Sequence, residues 1–244
     1  MTGDVWLNSI LLLFGTSIGS LLALTFKKTP LSINLNLSFA GGVMVVASFT
    51  SLIIPGIQKG GFWQTSLGIL IGFFLIGLIE YLFPHEHILK GSEGVIKSEK
   101  IKKLFLIVAG VVIHNIPEGF GVGVSSAYSI EKGSATALAI AIQDIPEGLI
   151  VTLALMVANR GVVTPLAAGI FSGIIEAFFS LLGFYTFEAF RGFLALGLGI
   201  GGGAMIYVTV KEVFPEVYSE GSHTLSTVGF LIGFLLMLFL DTTI

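Results

Sequence analysis

Two short stretches of the sequence repeat one pattern of metal-ligand side chains. The first, IHNIPEG, covers residues 113–119, and the second, IQDIPEG, covers residues 142–148. Imidazole, amide oxygen and carboxylate groups together suit borderline first-row metal ions, whereas sites for Mg²⁺ or Ca²⁺ are built from oxygen alone. The repeated pattern therefore predicts a site for ions such as Zn²⁺, Fe²⁺ or Mn²⁺.

Helical spacing places the ligand-type side chains of each stretch on one face. His114 and Asn115 precede Glu118 by four and three residues, so all three share one face of a helix. Glu118 and Glu147, one from each stretch, are the best candidates to bridge two ions. The side chains that repeat the arrangement in the second stretch are Gln143, Asp144 and Glu147.

The prolines of the two stretches predict local breaks in the helices. Pro117 cannot donate to the carbonyl of Ile113, and Pro146 cannot donate to that of Ile142. Such breaks are tolerated in membrane helices where neighbours or a cavity satisfy the backbone. The freed carbonyls and the expected kinks make room for an ion.

Two further residues complete the predicted site. Glu176 lies near the middle of the next apolar segment, and Met44 lies mid-way along an earlier one. The thioether of Met44 would extend the range of ions to Cd²⁺. Methionine also commonly just fills space in a core, so its role stays open.

The composition shows which elements must position these residues. The chain of 244 residues is 54% hydrophobic and 11% charged, with a mean hydropathy of +0.98. A soluble domain carries about 25% charged residues, so the composition excludes a soluble enzyme. The net charge of −3 gives no basic patch for nucleic acid, and the absence of cysteine removes thiolate ligands and disulfides. We therefore expect an all-α integral membrane protein.

The apolar stretches divide into eight segments of the length that crosses a bilayer. They form one predicted transmembrane domain, 1–244, and a longer charged link, 84–103, follows the third segment. The segments are 5–26, 33–56, 63–83, 104–127, 134–159, 163–186, 190–214 and 224–240.

The depth of the acidic residues supports the metal hypothesis. Glu118, Asp144, Glu147 and Glu176 all fall near mid-segment, and no Lys or Arg lies at a similar depth. A charged side chain at the bilayer centre costs roughly 2.5–3.5 kcal/mol on insertion scales. Bound protons or bound cations would remove this cost, and two divalent ions would neutralise four carboxylates.

Loop charges predict the orientation of the chain. Most of the twelve Lys and Arg residues lie in the links after the first, third, fifth and seventh segments. By the positive-inside rule these links are cytoplasmic. We expect a multi-pass protein of the cell (inner) membrane with both termini outside the cytoplasm. The first segment lacks a basic start and a cleavage site, so it reads as a retained helix.

The paired H-N-x-P-E-G and Q-D-x-P-E-G helices, followed by a mid-membrane Glu, resemble the ZIP (Zrt-/Irt-like) family of divalent metal transporters, especially its bacterial GufA-type members. The resemblance implies cytoplasmic metal uptake, a 3+2+3 arrangement with inverted repeats, a homodimer, and sliding of helices 1, 4, 5 and 6 against the rest. It also implies two metal sites. The first set is Met44, His114, Glu118, Gln143, Glu147 and Glu176, and the second is Asn115, Glu118, Asp144 and Glu147.

The sequence departs from the family pattern at the predicted cytoplasmic exit. The His-rich loop is reduced to residues 85–87, HEH, which could capture metal or simply be solvated. Lys211 and Glu212 stand where many relatives have His-Glu, and Glu212 could relay metal or lie at the interface. Ser51 begins a Ser-Leu-Ile-Ile-Pro stretch where relatives often carry a His or an acid before the Pro.

Two other functions remain open from the residues alone. One is an intramembrane metal-dependent hydrolase, since His and carboxylates around a metal can activate water. Against it, the chain lacks an H-E-x-x-H motif, and a symmetrically repeated site suits alternating access better than catalysis. The other is a proton-coupled transporter of an organic substrate, with the acids as proton carriers. We expect a transporter of Zn²⁺, and of Cd²⁺, Fe²⁺ or Mn²⁺, rather than an enzyme.

Overall fold

The computed structural model describes residues 2–25, 33–82, 86–87, 91–92, 100–159, 161–218 and 223–244. Almost all of these residues are helical, which confirms the predicted all-α class. The α-helices within these ranges are α1 (Thr2–Leu22), α2 (Ile33–Ala47), α3 (Ile54–Leu82), α4 (Lys100–Tyr128), α5 (Ile130–Asn159), α6 (Val163–Ala189), α7 (Leu194–Val208), α8 (Phe214–Val217) and α9 (His223–Thr243).

Shorter elements connect some of these helices. Two π-helical turns, Ser48–Ile53 and Thr209–Val213, follow α2 and α7, and a 3₁₀ turn, Arg191–Phe193, precedes α7. Strand β1 (Glu86–His87) pairs antiparallel with β2 (Gly91–Ser92). The rest of the predicted loop 84–103 up to residue 99, including His85, lies outside the described residues, so the expectations for its side chains are untested.

Six stretches of the described residues are long and apolar enough to cross a membrane. They are Gly3–Leu22, Asn34–Leu82, Ile130–Met156, Val163–Ala189, Arg191–Val217 and Thr224–Thr243. Helix α4 is not among them. The second stretch has 49 residues, about 73 Å of helix at 1.5 Å per residue, which is far more than one crossing requires.

The segment before Gly61 runs antiparallel to α7. An added Cβ on Gly202 would meet Ile53, and one on Gly56 would meet Leu198, so the residue numbers of the two elements run in opposite directions. Gly61 itself has φ 78° and ψ 175°, a backbone conformation that glycine adopts far more easily than other residues.

The part of α3 after Gly61 runs parallel to α7. Gly68 lies against Leu196 and Gly72 against Ile200, so here the residue numbers increase together. The chain therefore reverses direction at Gly61, inside the gap between the predicted second and third segments.

The helices associate in pairs through glycines that bring backbones together. Gly15 lies against Ala141 and Gly19 against Ile145, so α1 and α5 run parallel. The same kind of contact pairs α4 with α6, α2 with α9, and the part of α3 after Gly61 with α7, each in parallel. Small residues allow this close approach in lipid, where the hydrophobic effect does not drive helices together.

A proline follows each π-helical turn. Pro55 comes two residues after Ile53, and Pro215 comes two residues after Val213. Proline has no N–H, and its ring clashes with the carbonyl four residues earlier. A wider π turn relieves that clash by lengthening the hydrogen-bonded ring. The predicted segment 190–214 is for this reason not one regular helix.

Burial follows the division between protein interior and lipid. Leu12, Met44, Leu52, Ile140 and Leu198 are fully buried between the helices. One face of α3, by contrast, exposes a row of large apolar side chains, as expected of a surface that meets acyl chains. Helices α4 and α5 begin four residues before their predicted bounds, because polar residues continue each helix beyond its apolar part. Helix α1 instead ends at Leu22, four residues before its predicted end.

Candidate metal centre

The two repeated stretches lie against each other in the fold. Helices α4 and α5 are neighbours and run antiparallel, as shown by contacts of Gly133 with Ser126 and of Gln143 with Glu118. The side-chain amide of Gln143 donates to Glu118 Oε1 at 2.5 Å, and both residues are buried. Consecutive helices joined by a short link pack antiparallel, which is why residues near the two midpoints meet.

Three carboxylates from the two stretches form one cluster. Single oxygen atoms of Glu118, Asp144 and Glu147 all lie within 4.8 Å of one another. Glu118 and Asp144 are each 2% exposed. Glu176 of α6 is fully buried and interacts electrostatically with both Glu118 and Asp144. Four acids from three helices therefore share one buried region, which we call the acidic cluster.

One oxygen of Glu176 is held by two polar groups. Thr16 Oγ1 of α1 donates to Glu176 Oε2 at 3.3 Å, and Asn115 Nδ2 of α4 approaches the same oxygen at 3.5 Å. The Thr16 hydroxyl also lies 3.3 Å from the carbonyl of Leu12, which competes for its single proton. Helix α1 thus contributes a side chain to the cluster, although no ligand was predicted on it.

Several oxygens of the acidic cluster and of the two amide side chains beside it have no hydrogen-bond donor in the described part of the chain. Leaving a buried acceptor without a donor costs about 1–3 kcal/mol, so a group of such atoms favours a bound cation. The unpartnered oxygens are Asn115 Oδ1, Glu118 Oε2, Gln143 Oε1, Asp144 Oδ2 and Glu176 Oε1. These are the atom types that coordinate Zn²⁺, Mn²⁺ or Fe²⁺.

His114 stands beside the acidic cluster with its ring engaged elsewhere. Its Nε2 contacts Glu212 Oε2 of the π turn after α7. The imidazole also interacts electrostatically with Glu147 and Glu216. His114 therefore bridges the cluster and a second group of acids, instead of joining Glu118, Asp144 and Glu147 in one set of convergent ligand atoms.

Met44 is buried and contacts another π-turn residue. Its sulfur accepts a weak hydrogen bond from Thr209 Oγ1 at 3.8 Å, and its side chain is 1% exposed. This environment fits packing as well as ligation.

Three further acids, Glu80, Glu212 and Glu216, are also buried. Of these, only Glu212 was considered from the sequence, as a metal relay or an interfacial residue. Tyr207 donates to Glu80 Oε2 at 2.8 Å, and Lys211 forms an ion pair with the same oxygen. An acid in the last turns of an otherwise apolar third segment was the signal that could have identified Glu80.

The glycine that ends each repeated stretch has a structural reason. An added Cβ on Gly119 would meet the backbone of Glu176, and one on Gly148 would meet the backbone oxygen of Thr16. Each glycine therefore lets a helix that contributes to the acidic cluster contact its partner helix at the level of that cluster.

Comparisons with known proteins show which family the chain resembles. A family model described as ZIP Zinc transporter matches residues 84–241. The zinc transporter ZIPB of Bordetella bronchiseptica is 35% identical over 94% of this chain and 77% of its own length. The zinc transporter GufA of Myxococcus xanthus is 36% identical over 80% of each chain. The zinc transporter ZupT of Corynebacterium glutamicum is 32% identical over 91% of this chain and 92% of its own length.

Proposed function

The chain belongs to the ZIP zinc transporter family, and from this premise we propose that it carries Zn²⁺ across the cell (inner) membrane into the cytoplasm. Family membership makes it a multi-pass membrane transporter of divalent metal ions and not an enzyme. The observation that carries the proposal is the convergence of buried Glu118 and Asp144 with half-buried Glu147.

The proposed substrate site holds two ions that share carboxylate ligands. Glu118 and Glu147 bridge the ions, one from each repeated stretch. The first ion is bound in addition by Met44, His114, Gln143 and Glu176, and the second by Asn115 and Asp144. Unpartnered oxygens on Glu118, Asp144 and Glu176 support this assignment, because each is an acceptor with no donor among the residues that the structure describes.

Electrostatics favours two dications over one. Four carboxylates lie together with no ion pair to Lys or Arg among the described residues. One divalent ion would leave two negative charges in a region of low dielectric, where uncompensated charge is costly. Two divalent ions would leave none.

We assign His114 a mobile role in transport. With Nε2 on Glu212 the imidazole is turned toward the second group of acids. An arriving ion loses water, exchanges it for the cluster ligands, and draws His114 away from Glu212. Release inward would reverse this exchange, with Glu212 and Glu216 accepting the imidazole again. Glu212 then acts as a relay and not simply as an interfacial residue.

We propose eight crossings with inverted repeats. Reversal at Gly61 supports two crossings within Asn34–Leu82. The set of close helix pairs, α1–α5, α4–α6, α2–α9 and α3–α7, is also unchanged when each helix is replaced by its counterpart in the proposed repeat. The counterparts are α1 and α6, α4 and α5, α2 and α7, and the later part of α3 and α9. In this proposal both termini lie outside the cytoplasm, loop 84–103 lies inside, and residues 1–244 form one domain. The homodimer stays an expectation from the resemblance.

Zinc is the first choice of substrate because the relatives above are named zinc transporters. Cd²⁺, Fe²⁺ and Mn²⁺ are further candidates, since the proposed ligands include nitrogen, oxygen and a thioether. Neither an intramembrane hydrolase nor an organic-substrate transporter is favoured by the comparisons.

Transport assays in proteoliposomes test the proposal. We expect Zn²⁺ uptake to fall to the level of protein-free liposomes in Glu147→Ala, because both ions lose a bridging ligand. His114→Ala should lower uptake by roughly tenfold, the effect of about 1.4 kcal/mol. Glu188→Ala is the matched control, since Glu188 pairs with Arg191 on the surface.

The outcome that contradicts the site is Zn²⁺ uptake at the original rate in both Glu147→Ala and His114→Ala. Elemental analysis of the purified protein is an independent check. Absence of any bound divalent metal after equilibration with Zn²⁺ would also contradict it.

A further inference from the structure

The helices divide into two groups according to how closely their backbones approach. Group A contains α1, α4, α5 and α6, and group B contains α2, α3, α7 and α9. Wherever an added glycine Cβ would meet the backbone of another long helix at under 3.0 Å, both helices belong to the same group. Between the groups the glycine contacts are with side chains or at ordinary distance, such as 3.4 Å from Gly201 to Gly121.

Between the groups, the described residues make none of the close glycine–backbone contacts that join helices inside each group. The two groups can therefore slide past each other more easily than helices within one group can. Polar contacts that cross the boundary then decide how firmly the groups hold together. His114 with Glu212 is one such contact and lies beside the acidic cluster. A second contact, between Lys132 of α5 and Asp241 of α9, lies far from the cluster at the ends of both helices.

The Lys132–Asp241 contact is well formed and buried on its acidic side. Lys132 Nζ lies 2.8 Å from Asp241 Oδ2 and 3.4 Å from the Asp241 backbone oxygen. The Asp241 side chain is 5% exposed and that of Lys132 is 32% exposed. Ser51 Oγ donates to the other carboxylate oxygen, Oδ1, at 3.1 Å. Both oxygens of a buried carboxylate are thereby satisfied.

This arrangement joins three elements at one end of the molecule. Lys132 lies in the first turn of α5, the helix that carries Gln143, Asp144 and Glu147. Ser51 belongs to the π turn that follows the helix of Met44. A buried charge that loses its partner is strongly destabilised, so Asp241 resists separation of α5 from α9 until another group or water replaces Lys132.

The corresponding ion pair at the opposite end does not cross the boundary. Glu80 binds Lys211 and Tyr207, and all three belong to α3, α7 or the π turn after α7. They tie group B to itself. The cross-group ion pair is therefore placed asymmetrically, at the end where α5 begins and α9 ends.

We propose that Lys132, Asp241 and Ser51 form an ionic latch that closes the outer mouth of the transport path and must open in each transport cycle. The inference rests on the proposed function for its direction. The latch holds α5 against α9 while the mouth is shut, and its opening frees the ligand-bearing helices to move relative to group B.

A labelling experiment tests whether the latch shuts the mouth. The chain has no cysteine and Ser51 is fully buried, so Ser51→Cys creates a single hidden thiol. We expect a membrane-impermeant thiosulfonate to label this thiol at least fivefold faster when Lys132→Met is added. Lys59→Met added to Ser51→Cys is the matched control, since Lys59 is exposed and should leave the rate unchanged.

Equal labelling rates with and without Lys132→Met would overturn the latch. Loss of the ion pair would then leave the thiol of Ser51→Cys as inaccessible as before. A rate that rises equally with Lys59→Met would overturn it too, since any lost lysine would have the same effect. Both labelling rates are measured on the purified protein and do not depend on metal transport.

A crosslinking experiment tests whether the latch must open. A short bifunctional thiosulfonate joining Lys132→Cys to Asp241→Cys should lower Zn²⁺ uptake at least tenfold, and reductant should restore it. The control pair is Ser9→Cys with Ser180→Cys. Their hydroxyls lie 2.9 Å apart inside group A, so joining them should leave uptake unchanged.

Full uptake in quantitatively crosslinked protein would overturn the latch while leaving the proposed function intact. Absence of uptake in the unmodified protein would instead refute the proposed function. The labelling rates would still decide the latch in that case.

Discussion

At the scale of single residues, ionised carboxylates in the acidic cluster repel one another strongly unless positive charge compensates them. Two unit charges 4.8 Å apart, the spacing limit of Glu118, Asp144 and Glu147, repel by about 3–4 kcal/mol at an effective dielectric of ~20. Bound dications or protons must offset this repulsion. The residues of the cluster are therefore best probed through the number of ions they bind.

Asp144→Asn should reduce the bound Zn²⁺ from two ions to one per chain. Asp144 belongs only to the second proposed set, and an amide carries no charge to hold a second dication. Calorimetric titration with elemental analysis measures this stoichiometry. Glu188→Gln serves as the control, and two ions in Asp144→Asn would refute the assignment of Asp144.

Thr16→Val should weaken Zn²⁺ binding by roughly fivefold, corresponding to about 1 kcal/mol for one hydrogen bond. Thr16 Oγ1 fixes one oxygen of Glu176, and Val keeps the shape of the side chain while removing the donor. Thr16→Ser keeps the donor and should bind as the original does. Equal affinities in Val and Ser variants would show that this hydrogen bond does not position Glu176.

At the scale of helices, the repeated glycines set the distance between ligand-bearing helices. Gly119 holds α4 against α6 at Glu176, and Gly148 holds α5 against α1 at Thr16. Because the neighbouring atoms are backbone, an added methyl group cannot be accommodated by a change of rotamer.

Gly119→Ala should lower the free energy of unfolding by about 1–3 kcal/mol, the usual cost of overpacking. It should also weaken Zn²⁺ binding, since α4 and α6 must move apart. Thermal unfolding in detergent and zinc titration measure the two effects. Gly3→Ala is the control, because Gly3 is helical and has nothing within 4 Å of an added Cβ. An unchanged free energy of unfolding in Gly119→Ala would contradict the close packing of α4 against α6 at Gly119.

At the scale of the whole molecule, the arrangement of helix pairs looks similar from both ends. The π turn before Pro55 and the π turn before Pro215 occupy equivalent places under the exchange of helices described above. If these halves face opposite sides of the membrane, as we propose, the arrangement suits a site reached alternately from each side.

Single cysteines should show the orientation of the molecule in intact cells. We expect an impermeant maleimide to label Lys59→Cys, which lies beside the reversal at Gly61, on the outer side. Tyr218→Cys, after α8 and 41% exposed, should be labelled only after the cells are permeabilised. Labelling of Tyr218→Cys from outside would reverse the proposed orientation.

Much of the fold could be predicted from the sequence. Apolar segments indicated the helices, and the gap between the second and third segments contains the reversal at Gly61. The bounds of the helices and the π turns could not be predicted in the same way, because the hydropathy pattern does not register a change in hydrogen-bond spacing before Pro55 or Pro215.

The candidate site was predicted in part. The sequence singled out Glu118, Asp144 and Glu147, which the fold brings together. Contacts of Thr16 with Glu176 join residues from opposite parts of the chain. Spacing within one helix carries no information about such distant pairs.

Hydropathy and helical spacing are local properties of the chain, so the sequence alone predicts a helical membrane protein in which two helices repeat one pattern of ligand-type side chains. The contacts of His114 with Glu212 and of Lys132 with Asp241 are visible only in the folded molecule. Such contacts depend on how the helices pack against each other. That packing is set by close approaches, such as that of Gly119 to Glu176, made at once along several pairs of helices.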